Sequence, residues 1–167
     1  MAGTRITIDL DDAALQATLS RLAASVADPS PALSEIGEHL LKTTKARFGQ
    51  TQKRAPDGTP WARNSETTIA RKRRDNPLYQ TGMLQGQMRW QLADGGRAVE
   101  VGSNRIYATV QQFGQPKGAS GRTKRGGPIP WGDIPARPFL CVSADDRAAI
   151  ADILSDYLSG AGAKAAI

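Results

Sequence analysis

A single cysteine, Cys141, and a single histidine, His39, stand in a chain of 167 residues. One thiol excludes an internal disulfide, and one thiol with one imidazole falls short of the Cys/His ligands of a zinc site. A metal site would then need clustered carboxylates, and the sequence offers no such cluster. Aromatic residues are scarce, at 5%, beside 40% hydrophobic residues, so a core is expected but not a large one. No apolar run approaches the ~18 residues that cross a bilayer. The opening "MAGTRITIDLDD" has no apolar segment of the secretory kind, so cytoplasmic synthesis without a membrane partner is expected. The length suits one domain, and no internal repeat divides it, so 1–167 is expected to fold as a single unit.

Charge is present and unevenly placed. Lys plus Arg is 22 against 16 for Asp plus Glu, a net +6. Charge of that size fits a polyanionic partner and equally a soluble surface. The cations gather in two places: Arg71, Lys72, Arg73 and Arg74, and then Lys117, Arg122, Lys124 and Arg125. The acids lie mostly in the N-terminal third and near the C-terminus.

"RITIDLDD" alternates apolar and polar residues and predicts a half-buried strand. Leu15, Leu19, Leu22 and Val26 follow with helical spacing. Ser30 as N-cap and Pro31 in the first turn predict a second, longer helix, with Ile36, Leu40, Thr44 and Phe48 on its stripe and Gly49 as its cap. "PDGTPW" reads as a turn-rich loop carrying Trp61, and Asn64 or Ser65 starts a short helix ending in the first basic cluster. Cations at a helix C-terminus favour its dipole, so that cluster has a structural reading beside a binding one. Met88, Trp90 and Leu92, then Val99 and Val101, alternate across "ADGG" and predict a hairpin, with sheet spanning Met83–Gly102. "NRIYATVQQFG" predicts a short helix ending at Gly114. Ser143 and Asp146 have capping-box spacing and open a last helix; residues 160–167 are expected to fray. The expected fold class is α+β: a small antiparallel sheet with a long hairpin, packed against two or three helices, with a long internal loop.

Catalysis has little support. Nucleophilic chemistry needs a Ser or Cys beside a base, and the only imidazole, His39, flanks an apolar helical stripe, where a boundary histidine is expected. Cys141 is expected to be small and buried. Asp11, Asp12, Asp145 and Asp146 sit at helix starts, where capping and the dipole account for them. "GASGRTKRGG" lacks the P-loop order. No catalytic, metal or cofactor residue is therefore assigned. Sequence-independent contact with phosphates through 71–74 and 117–125 is the alternative, although aromatics are not interleaved with those cations and no helix-turn-helix is evident.

Loops longer than ~12–15 residues without structure of their own are uncommon inside a compact domain and are usually functional or disordered. Here the basic stretch 115–127 is expected to be flexible, and Pro128, Pro130, Pro135 and Pro138 stiffen its return. Such an arm suits reaching over a neighbouring subunit. Trp61, Trp131, Arg137 and Phe139, with Lys117, Arg122, Lys124 and Arg125, are the candidate contacts, because aromatics and Arg concentrate at interface cores. For Trp131, contact with a neighbour and packing on its own domain stand level; for Phe139, beside Leu140, packing on its own domain is favoured.

Four segments in order, "PDGTPW", "LYQTGML", "VGSNRIYATVQQFG" and "IPARPFL", resemble the phage virion morphogenesis family, the tail completion proteins of Mu-like and related tailed phages. Pro56, Gly58, Trp61, Leu78, Thr81, Gly82, Leu84, Tyr107, Ala108, Gly114, Pro135, Ala136, Arg137, Phe139 and Leu140 carry the resemblance. Cys141 departs from it, where glycine would be common. The resemblance implies a non-enzymatic virion component, located in the tail or neck, that completes the tail for head–tail joining. It also implies a homo-oligomeric ring, a hexamer by family habit, around the DNA path. Tail tube and head–tail connector proteins would be its partners, with packaged DNA close by and no cofactor.

Overall fold

The computed structural model of the chain describes residues 28–49 and 53–163, with the single positions Ser20 and Ala23. The strand expected at "RITIDLDD" and the stripe Leu15–Val26 lie outside the described residues. Within them the order is α1 (Ser30–Arg47), α2 (Glu66–Lys72), α3 (Met83–Gly86), β1 (Met88–Ala93), β2 (Ala98–Ser103), α4 (Ala108–Phe113) and α5 (Ala144–Ala163). The fold is small α+β, as expected: a two-stranded antiparallel sheet with helices against it.

The hairpin follows from its alternation. Trp90 pairs with Val101 and Leu92 with Val99, so the apolar residues of both strands share one face, the unit of sheet stabilisation. The turn is a single tight helical turn at Asp94–Gly96, where Asp94 and both glycines have positive φ. The sheet is shorter than expected at its start. Gly82 takes φ +75, and the chain after it makes the one-turn helix α3, which sends Leu84 into the core before β1 begins at Met88.

α1 lies across both strands and against α5. Its buried face, Ala32, Ile36, Gly37, Thr44 and Arg47, recurs at helical spacing. Its start differs from expectation. Ser30 is the first helical residue and Pro29 the N-cap; the Ser30 hydroxyl instead donates to the Gly96 carbonyl across the hairpin turn at 3.2 Å. The Ser30 N–H is taken by the Asp28 carboxylate at 3.2 Å. A glycine inside a helix usually costs ~1 kcal/mol relative to alanine, but Gly37 has a packing reason. A Cβ there would stand 2.7 Å from the Trp90 ring. Gly37→Ala is therefore expected to lower stability, by the ~1–3 kcal/mol typical of overpacking, despite its better helix propensity. Urea denaturation checks the sign.

The main core joins Phe48, Ala55, Trp61, Leu84, Met88, Ala108 and Phe139. Phe48 stands between Trp61 and Phe139, each ring pair 5.5 Å apart and tilted by 59°, a favoured aromatic geometry. Three separate loops meet there. The Pro56–Gly58 turn is closed by Gly58 N–H to the Ala55 carbonyl at 2.9 Å and by Thr59 N–H to the Asp57 carboxylate, also 2.9 Å. That turn delivers Trp61, whose indole N–H donates to the Pro138 carbonyl at 2.7 Å. The return segment runs extended past α4, and the Gln112 amide stands in for a neighbouring strand. Its oxygen accepts the N–H groups of Phe139 and Leu140, each at 3.0 Å, and its nitrogen donates to the Leu140 carbonyl at 2.9 Å. At Gly114 an added Cβ would sit 2.8 Å from the Ala136 backbone nitrogen, and φ is +76. Only glycine lets α4 end and the return segment pass so closely.

At the start of α5 the expected capping box is present. Asp146 N–H donates to Ser143 Oγ at 3.1 Å, and Ser143 N–H to the Asp146 carboxylate at 2.9 Å. The helix continues through Gly160 and Gly162 to Ala163.

Candidate functional site

The stretch 115–134 is not structureless, which corrects the expectation of a loop lacking its own organisation. Gln115 and Ile134 exchange both backbone hydrogen bonds at 2.8 Å. Gly118 and Ser120 donate to Pro130 and Ile129, Ile129 donates back to Gly121, and Thr123 closes the tip by donating to Gly127. The arm is an irregular hairpin, rooted at the Gln115–Ile134 bridge. Lys117, Arg122, Lys124 and Arg125 are all exposed on it. Trp131 is 76% exposed, with its ring edge close to Gly127.

Two of the residues expected at a partner contact, Trp61 and Arg137, are inside the fold instead, and Phe139 packs on its own domain as favoured. Trp61 and Phe139 are buried in the aromatic core. Arg137 is 6% exposed: Nε donates to the Ala62 carbonyl at 2.8 Å, one terminal nitrogen to the Arg63 carbonyl at 2.9 Å, the other to the Gln111 amide oxygen at 3.4 Å. Their strength as sequence markers comes from holding three loops together, and little of any of them is left for a neighbour. Cys141, expected to be buried, is exposed; the chain is anchored there through its carbonyl, which accepts from Arg47 at 3.2 Å.

Two exposed apolar residues escaped the sequence reading. Ile106 and Phe113, 95% and 75% exposed, stand in the turn before α4 and at its last residue.

The first basic cluster ends α2. Ser65 caps the helix, accepting from Thr68 N–H at 3.4 Å, and Arg73 turns the chain in the left-handed region. Behind it lies a cleft of about 650 Å³. Its walls are α2 with Arg71 and Lys72, the Leu78–Leu84 segment, α4 through Tyr107 and Gln111, and the return at Asp133–Arg137. Burial, and then the charges of Arg71, Arg137 and Arg74, push the Lys72 ammonium below its ordinary pKa. Burial pushes Arg137 down as well. Asp75 is held below the usual carboxylate range by the Asn64 backbone hydrogen bond and then by Arg63, whose Nε it accepts at 2.9 Å.

A second polar group lies across α1 and α5. The Asp146 carboxylate, 1% exposed, meets Arg47 at 2.6 Å and His39 at 3.2 Å. Ser143 Oγ donates to that carboxylate at 2.7 Å. The order is Ser–Asp–His, so the hydroxyl does not reach the imidazole and the nucleophile–base bond of a catalytic triad is not formed. His39 is the boundary histidine expected. Among the described residues no cluster of His, Cys, Asp and Glu is arranged for a metal ion. No helix among them is long and apolar enough to cross a membrane.

The chain thus has an aromatic-centred α+β body, a basic hairpin arm and a cationic cleft. The model of the phage virion morphogenesis family matches residues 10–159. The chain belongs to that family, and its role is structural, in building the phage particle. No curated protein and no solved structure matches it.

Proposed function

We propose that the chain is a tail completion subunit: a non-enzymatic neck or tail-terminator protein that closes as a ring around the DNA path and readies the tail for head–tail joining. The observation that carries this reading is the arm. Trp131 and four cations stand exposed on a hydrogen-bonded hairpin that projects from the body, and a large exposed aromatic on a rigid support is the anatomy of an interface anchor. In a closed ring each subunit uses two different surfaces, and the arm is the candidate for one of them.

Light scattering on the purified chain, alone and mixed with isolated tail tubes, tests the ring. A ring-sized species in either condition is expected; a monomer in both contradicts the reading. The Gln115–Ile134 bridge permits a matched control. Replacing 116–133 with Asn-Gly, the preferred two-residue hairpin turn, should leave the body folded by circular dichroism and abolish assembly.

A sequence-independent DNA-binding role is the second reading, favoured by the exposure of Arg71, Arg73 and Arg74 with the arm cations. It predicts binding that weakens steeply with salt through counterion release. No binding of duplex DNA at low salt removes it.

A further inference from the structure

The cleft behind α2 has a charge imbalance that the fold itself does not correct. Arg63 is neutralised by Asp75. Asp133, the acid in the lining, accepts the Lys117 backbone N–H at 2.7 Å, and its one negative charge leaves the lining cations in excess. Arg71, Lys72 and Arg137 line the cleft with no ion pair among the described residues, and Arg74 stands in the adjoining hollow with Arg71, Lys72 and Gln80. Arg137 adds positive charge at the back of the cleft: its hydrogen bonds all go to neutral acceptors, and the charge of Asp75 offsets part of the burial it suffers. The like charges of Arg71, Lys72, Arg74 and Arg137 are also close enough to oppose one another at Lys72.

The rest of the lining decides what kind of anion fits. Met83 and Tyr107, 46% and 40% exposed, stand with Leu78, Ile134 and Pro135 around the same cleft. Ser65, Thr68 and Gln80 add hydrogen-bonding groups. A volume of about 650 Å³ lies within the ~300–1,000 Å³ of ordinary ligand pockets. It holds a few residues of extended peptide and is too small to admit a nucleic-acid duplex. A phosphate backbone would also leave the apolar lining unmatched. Carboxylates beside apolar side chains match both.

We propose that this cleft is a docking site for a short acidic segment of a partner protein, with its carboxylates on Arg71 and Lys72 and its apolar side chains against Met83, Tyr107 and Pro135. The site borders the root of the arm at Asp133 and Ile134 but does not depend on ring closure. A chain that forms rings but leaves the cleft empty would lose this inference alone, and a monomer that binds the segment would lose only the ring.

Fluorescence anisotropy tests it with a labelled synthetic peptide alternating glutamate and leucine. The same peptide with glutamine for glutamate and a short DNA duplex serve as comparison probes. The expected results are binding of the glutamate peptide, at least ~10-fold weaker binding of the glutamine peptide, and at least ~10-fold weakening by the double variant Arg71→Glu/Lys72→Glu. The charge-matched arm variant Lys124→Glu/Arg125→Glu should leave the affinity within about 2-fold, because both residues are exposed and neither lines the cleft. Circular dichroism confirms that each variant is folded, and exposed Arg71 alone can be reversed if the double variant is not. Equal binding of both peptides, equal loss in both variants, or a duplex that displaces the glutamate peptide through Arg71 and Lys72 would each overturn the proposal, the last in favour of nucleic acid.

Discussion

Asp146→Ala is expected to destabilise the protein by about 3–5 kcal/mol, the usual effect of removing one partner from a buried ion pair. Arg47 is itself buried, and its remaining partners, Thr44 and the carbonyls of Phe139 and Cys141, are neutral. The same substitution removes the capping box at α5, worth ~1 kcal/mol more. Domains of this kind have only ~5–15 kcal/mol in total, so the variant should unfold at a clearly lower urea midpoint. The cause is separable by a double-mutant cycle. If the penalty is an orphaned Arg47 charge, Arg47→Met with Asp146→Leu should recover much of it, since apolar replacements of buried pairs are often neutral.

The same carboxylate gives the protein an acid limit. Burial alone would raise its pKa, but the Ser143 hydrogen bonds, one from Thr43 and the charge of Arg47 outweigh that and bring it from 3.8 to about 2. A depressed carboxylate binds its proton more weakly in the folded state. Its contribution is therefore fully present above pH ~4 and is lost as pH falls toward 2, at about 1.4 kcal/mol per unit of pKa shift, or roughly 2–3 kcal/mol. Denaturation between pH 5 and 2 should show this slope in the wild type and lose it in Asp146→Leu/Arg47→Met.

Phe139→Ala should cost about 3–5 kcal/mol by cavity formation. The ring is 0% exposed and touches Phe48, which in turn touches Trp61. The residues that carry it also carry Arg137 and the Pro138 carbonyl, so the return segment should loosen along with the core. Trp131→Ala, by contrast, removes an exposed ring and should change stability by no more than ~0.5 kcal/mol, while impairing assembly if the arm is an anchor. Thermal unfolding of the two variants side by side distinguishes a core aromatic from a surface one.

Those two aromatics show what the sequence could reveal. Local patterns were legible: the stripe of α1, the alternation of β1 and β2, the Ser65 cap, the Ser143–Asp146 box and the stop at Gly114. Each depends on residues within a few positions of one another. The burial of Trp61, Phe139 and Arg137 depends on closure between segments some 75 residues apart, and no local period records it. Arg137 reads as a surface cation until the carbonyls of Ala62 and Arg63 are brought to it. Ser30 reads as a cap until the Gly96 carbonyl is found above it. The arm reads as a disordered run because its partners are the carbonyls of Gly127, Ile129, Pro130 and Ile134 on its own return, which no local period records. The cationic cleft was partly legible: Arg71 and Lys72 stood out, but the three further walls arrive only with the fold.

The central claim is that the chain completes the tail so that it can join the head. Electron microscopy of lysates from the parent phage made without this protein tests it most directly. The account predicts DNA-filled heads and separate, unjoined tails, with joining restored by the intact chain and not by the variant lacking 116–133. Complete, joined and infectious particles in its absence would contradict it.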